Sequence, residues 1–327
     1  MSIKHTLYSL TICILTLASC STVNKVAVSS SSGVIYSAAQ QSMSEPNYEI
    51  FKNGLSGNLL LIEGLLSQAP NDKDLLATLN KGYAGYAFAV NETQILEDAL
   101  NENKEESGKR NALLNYTRSI EFGKRYLAQY KINFSDLVEL MNEPHGIIKL
   151  LDFKLDGKSK RDKELVLFTA QSLAGIINLE KDNIGLVSQL PIAKEMFDWV
   201  CLKDSSINYG MCEIFYGAYE AGRPTMLGGN PTLGKEYFLK AILKHPHNWL
   251  IRTSYIQYYL IPQLDEEGFR EQMSAFEEFQ ELFDAKYIYD FRTPTQMEWA
   301  REEGLRFFQS LALKRYDVLN KLKNKIF

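Results

Sequence analysis

The sequence predicts an all-α fold, an array of paired helices stacked as an α-α superhelix. Three observations predict it. No segment of the 327 residues sustains the period-2 alternation of a strand. A spacing recurs along the chain. Gly234, Phe238, Ala241 and Pro246 stand 4, 3 and 5 residues apart. Ile62, Leu65 and Pro70 keep the 3 and the 5, and Ala112, Tyr116 and Ser119 keep the 4 and the 3, with Lys124 where the proline belongs. Finally, 45% of residues are hydrophobic and 12% aromatic, enough to wedge helix pairs together with rings.

The best copy of this spacing lies in residues 214–249, around which the chain is organised. Small Gly234 and Ala241 let a neighbouring helix approach, Phe238 fills the gap, and Pro246 forces a turn. This is the second-helix half of a tetratricopeptide-type repeat.

The N-terminus reads differently. Lys4 and His5 precede an apolar run over 7–17, the length of a signal-peptide core and too short for a mature span. It closes on Leu17-Ala18-Ser19-Cys20, which resembles a bacterial lipobox. The expected organisation is a lipoprotein signal peptide over 1–19, a lipidated Cys20 with a Ser-rich tether over 20–45, and one helical-repeat domain over 46–327. Acylation at two or more positions makes such an anchor stable, at about 0.8 kcal/mol per buried methylene. Ser21, rather than Asp, follows the cysteine, which points to the outer membrane.

The remaining cysteines, Cys201 and Cys212, sit in an oxidising compartment as a candidate disulfide. On one continuous helix, eleven residues would hold them too far apart to bond. A turn at Lys203-Asp204-Ser205 would bring them together. The reading favours two buried free thiols.

In order, apolar periodicity predicts a helix over 55–69 and its partner over 75–90, separated by a turn with Asn71 or Asp72 as cap. Gly82 and Gly85 within the second helix need a reason, since each costs about 1 kcal/mol relative to Ala. Close helix contact is the favoured one, and a ligand against bare backbone is the other. Further helices are expected over 93–100, 109–130, 135–141 (capped by Ser135 or Asp136), 147–161, 163–178 and 191–202. Ser205 or Ser206 is the expected cap of the helix that carries Phe215. After the organising stretch come 250–261, 266–282 and 295–325, the last capped by Thr293 or Thr295.

Few motifs carry chemistry. Gly229, Gly234 and Lys235 mimic a phosphate loop, but Glu236 stands where a magnesium-binding Ser or Thr belongs and no strand precedes it. A tight turn entering a helix fits better. His245 and His247 flank a proline with no further ligands beside them. No hydrolase or metalloprotease motif occurs, so the expectation is a non-enzyme without cofactor or metal. A net charge of −4 offers no basic face for nucleic acid. Two aromatic groups, Tyr83, Tyr86, Phe88 and Tyr255, Tyr258, Tyr259, are the candidates for lining a ligand groove, against a favoured role in core packing.

Four blocks stand in order after the lipobox: Leu59-Leu60-Leu61-Ile62-Glu63-Gly64-Leu65-Leu66, Gly82-Tyr83-Ala84-Gly85-Tyr86-Ala87-Phe88-Ala89, Asn178-Leu179-Glu180-Lys181-Asp182, and Arg223-Pro224-Thr225-Met226-Leu227-Gly228-Gly229-Asn230-Pro231. Together they resemble the T-component lipoproteins of tripartite ATP-independent periplasmic (TRAP) transporters. The resemblance implies a helical lipoprotein with degenerate tetratricopeptide-like repeats, trimeric, that docks a periplasmic solute-binding protein and holds a hydrophobic organic acid. It carries no catalytic residues. The competing expectation is a structural adaptor lipoprotein of envelope assembly.

Overall fold

The computed structural model describes residues 20–102, 106–288 and 303–327. The expected signal peptide over 1–19 and the expected start of the last helix near Thr293 and Thr295 lie outside the described residues. Within them the chain is helical and contains no strand.

The first helix, α1 (Cys20–Gln40), spans most of the stretch read as a tether. Its side chains from Ile35 onward lean on the helices that follow, and a short 3-10 turn, Gln41–Ser44, links it to the rest. The Ser-rich composition hid this. Three serines of α1 bend their hydroxyls back onto backbone carbonyls of the preceding turn (Ser30, Ser31 and Ser32), and Ser42 of the 3-10 turn does the same.

Helix α2 (Tyr48–Gln68) starts earlier than its apolar pattern, because Asn47 accepts from the amides of Glu49 and Ile50. Asp72 caps α3 (Lys73–Tyr86) in the same way, on Asp74 and Leu75. A π turn, Ala87–Asn91, then carries the chain into α4 (Glu92–Leu100) without a break. Next come α5 (Ser107–Ala128), α6 (Phe134–Leu140), α7 (Gly146–Lys154) and α8 (Lys160–Leu179). The cap of α6 is Asn133, paired reciprocally with Asp136, rather than Ser135 or Asp136 alone.

Helices α3, α5 and α8 pack on one another. Their apolar faces bury Leu75, Leu79, Phe122, Tyr126, Leu165 and Leu173. A small polar cluster pins the three together. The Asn80 amide donates to the Ser119 hydroxyl at 3.0 Å and to Thr169 at 3.1 Å, and Ser172 donates to Ser119 at 2.8 Å.

After the four-residue α9 (Ile184–Val187), α10 (Leu190–Lys203) lies on α8, and α11 (Met211–Gly222) pairs with α12 (Pro231–Lys244). This last pair has the packing its spacing predicts. A Cβ on Gly234 would stand 2.9 Å from the Gly217 carbonyl, and one on Gly217 would stand 2.6 Å from the Phe238 ring. Gly229, which a Cβ would drive to 2.0 Å from the Arg223 carbonyl, turns the chain tightly before Asn230 caps α12. Lys235 of the phosphate-loop mimic pairs with Asp265 at 3.1 Å.

Between α10 and α11 the backbone turns through left-handed Asn208, Tyr209 and Gly210, so Gly210, and neither Ser205 nor Ser206, opens α11. This turn brings the Cα atoms of Cys201 and Cys212 to 6.0 Å, and the two form a disulfide. The preference for free thiols is thereby corrected. It missed a turn long enough to fold one helix end onto the next.

Helix α13 (Leu250–Tyr255) runs into a second π turn, Ile256–Leu260, and is followed by α14 (Glu266–Tyr287) and α15 (Arg306–Ile326). The aromatic core of this half includes Phe238, Tyr255, Phe276, Phe279 and Tyr316. Helix α15 returns to the start of the chain, where Phe307, Phe308 and Leu311 bury against Tyr48, Phe51 and Val90. The last helix therefore closes on the first ones, where an open superhelical array would leave them apart.

Candidate functional site: an apolar cavity with one polar end

Helical spacing puts Thr78, Lys81, Gly82 and Gly85 on one face of α3, and Glu164, Phe168 and Gln171 on one face of α8. Tyr36 and Gln40 share a face of α1. These faces, with Leu55, Leu59 and Ile62 of α2, enclose a cavity of about 470 Å³, walled on the far side by Phe307 and Phe308. Pockets for small ligands run from about 300 to 1,000 Å³ and are mostly apolar with few polar groups.

One end is polar. The Lys81 ammonium stands 3.0 Å from a Glu164 oxygen and donates to the Gln40 carbonyl oxygen at 2.7 Å. The other Glu164 oxygen accepts from the Tyr36 hydroxyl at 2.6 Å and from the Gln40 amide at 3.3 Å. The Glu164 side chain is only 3% exposed. Burial pushes the Lys81 ammonium below its ordinary value while Glu164 pulls it back up. Burial raises the Tyr36 phenol, and the neighbouring Glu164 charge raises it further. The Gln171 Oε1 is buried with no hydrogen-bond partner among the described residues.

The two glycines of α3 divide between the two expected reasons. A Cβ on Gly82 would fall 2.6 Å from Leu59 Cδ2, so Gly82 serves close helix contact. A Cβ on Gly85 would meet nothing within 4 Å, so Gly85 shows bare backbone to the cavity.

Of the six candidate aromatics, only Phe88 lines this cavity. Tyr83 turns away, donating to Glu63 and stacking on Phe122 at 5.8 Å, and burial with the Glu63 bond pushes its phenol up to about 12. Tyr86 packs between the main core and the α2–α15 contact. Tyr255 is buried against Phe238, and Tyr259 stacks on Tyr255, both at 5.4 Å. Tyr258 reaches across the molecule to donate to Glu92 at 2.7 Å. The sequence reading missed Tyr36, Gln40, Lys81 and Gln171. The available signal was Gly85 together with a lysine on an otherwise apolar helix face.

A second buried carboxylate organises a sealed cluster. Glu92 accepts from Tyr116 as well as Tyr258. Arg315, fully buried, donates to Thr93, to Gln257 and to the Phe88 carbonyl, and lies 4.4 Å from the Phe88 ring centre. Both π turns border this cluster, and the first one also borders the cavity through Phe88 and Ala89.

Fold and cavity together define an all-α protein whose packed helices enclose one ligand-sized apolar space. Family comparison narrows this class. The chain belongs to the TRAP transporter T-component family, whose model matches residues 44–280. Comparison with curated proteins finds no match. Membership ties the chain to a TRAP-type transporter and to the cell envelope. Among the described residues, no helix is long and apolar enough to cross a membrane, and no group of three His, Cys, Asp or Glu is placed to hold a metal.

Proposed function

We propose that the chain is the lipid-anchored, periplasm-facing T-component of a TRAP-type transporter. Lipidated Cys20 anchors it, in the outer rather than the inner membrane. It docks the transporter's solute-binding protein and holds an elongated apolar solute in the cavity between α1, α2, α3 and α8. The observation that supports this most is the cavity itself, 470 Å³ of largely hydrocarbon wall in a chain of a transporter family. Apolar wall on this scale is unfavourable when only water covers it, so a ligand accounts for the cavity. The family resemblance adds a trimer and a hydrophobic organic acid, of which the apolar wall fits the hydrophobic part.

A pull-down tests the partner. Mature chain from Ser21 onward is mixed with periplasmic extract of the source bacterium, and bound proteins are identified by mass spectrometry. Enrichment of an extracytoplasmic solute-binding protein is the expected result. Envelope-assembly proteins without any solute receptor would replace this reading by the structural adaptor.

A further inference from the structure

We propose that the polar end of the cavity selects an uncharged amphiphile, a long apolar chain ended by a hydroxyl or a primary amide, over the corresponding carboxylate. This rests on the ligand-holding reading above and concerns the headgroup alone.

Charge is the first argument. Among the described residues that line the cavity the only cation is Lys81, and Glu164 already neutralises it at 3.0 Å. Of the nearby cations on α8, Lys163 is committed to Asp204 at 2.8 Å, and Arg161 to Asp74 and to the Tyr126 hydroxyl. Lys160 lies 3.9 Å from Glu164 with its side chain 66% exposed. A carboxylate entering this end would bring a third charge to a pair that is already balanced. It would give up its water without gaining a free counter-charge.

Hydrogen-bond capacity is the second argument, independent of the first. An ammonium has three N–H donors. Lys81 gives two of them, to Gln40 and Glu164, and lines the cavity with one to spare. Gln171, two turns along α8 from Glu164, also lines the cavity, and its Oε1 has no partner among the described residues. Neighbouring hydroxyls are already engaged: Thr78 donates to the Asp74 carbonyl at 2.7 Å and Ser42 to that of Ala39 at 2.8 Å. The polar end thus offers one free donor. The oxygen of a hydroxyl or primary amide can accept from it without bringing a charge into the site.

The test is displacement of the uncharged fluorophore N-phenyl-1-naphthylamine from the full-length protein by three ligands of equal chain length: dodecan-1-ol, dodecanamide and dodecanoate. The alcohol and the amide are expected to displace it at concentrations at least about tenfold lower than dodecanoate. Gly85→Leu, which fills the cavity, is expected to weaken all three. Glu164→Gln frees the Lys81 charge and is expected to turn the preference towards dodecanoate. Equal or tighter binding of dodecanoate by the unaltered protein would overturn the headgroup assignment while leaving the ligand-holding reading intact. So would a Glu164→Gln protein that binds dodecanoate no better. Failure of the fluorophore and all three ligands to bind, or indifference to Gly85→Leu, would overturn both.

Discussion

Two buried glutamates, Glu164 and Glu92, each accept from tyrosine, one hydroxyl for the first and two for the second, and stand near a buried cation, yet the partners of the first line an open cavity and the second is sealed. The chemistry of the two clusters is nearly the same, so the neighbouring side chains make the difference. Around Glu92 every side is filled by a large group. Tyr116 lies so close to α8 that a Cβ on Gly175 would stand 2.6 Å from its ring, and Arg315 covers Phe88. Around Glu164 one cover is α1, where Ser32 is the only buried residue among the described side chains, and the facing helix shows the bare backbone of Gly85. A buried polar network therefore becomes a binding end or a structural clamp according to the volume of its neighbours. The π turn at Ala87–Asn91 separates the two, with the Phe88 ring on the cavity and its carbonyl on Arg315.

The largest expected effect falls on the sealed side. Arg315→Met removes a fully buried cation and leaves the Phe88 carbonyl, Thr93 and Gln257 without their donor, at a cost of about 3–5 kcal/mol. The midpoint of urea unfolding measures it, and a loss below about 1 kcal/mol would erase the contrast between the clusters.

A pair of glycine substitutions sharpens the comparison. Gly175→Ala drives a methyl into the Tyr116 ring and should destabilise by about 1–3 kcal/mol. Gly85→Ala meets open space and should stabilise by about 0.5–1 kcal/mol through helix propensity. Opposite signs in the same urea assay are the expected outcome. Matching signs would mean that Gly85 is packed like Gly175.

Alkaline pH probes the sealed phenols. Burial first, then the Glu92 charge, holds the Tyr116 and Tyr258 pKa values well above 10.0. The folded pKa lies above the unfolded one, so this stabilisation is complete below pH 10 and is lost as pH rises beyond it. Each such tyrosine should remove about 1.4 kcal/mol per pH unit above the unfolded value. Urea midpoints from pH 8 to 11 should therefore fall more steeply for the unaltered protein than for Tyr258→Phe.

The smallest global effect is expected at the cavity. Tyr36→Phe removes one bond to Glu164, at 2.6 Å, from a helix with little burial. Its urea midpoint should shift by no more than about 0.5 kcal/mol, because α1 opens without the rest. Hydrogen exchange over residues 30–40 should nonetheless accelerate by roughly tenfold. A cooperative loss of the whole fold would instead make α1 part of the central core.

Much of the fold was legible locally. Asp72 and Pro191 announce helix starts by their own chemistry, and Gly234, Phe238 and Ala241 announce the α11–α12 contact by their spacing. The candidate site was far less legible. Its six expected aromatics belong to recognisable helix faces, but periodicity does not say what lies opposite a face. Tyr83 and Tyr255 proved to face core, and Phe88 the cavity. Helix α1 went unread because serine disfavours helix interiors, and its stabilising contacts, Tyr36 to Glu164 among them, join residues 128 positions apart.

The sequence by itself determined the all-α class, the family blocks and the cap at Asp72, because these depend on neighbours within a few residues. Only the tertiary structure decided that Cys201 meets Cys212, that α15 closes onto α2, and that Lys81, Glu164, Tyr36 and Gln40 gather at one end of an apolar space. Those outcomes depend on the volume and position of side chains far apart in the chain, which helical period alone leaves open.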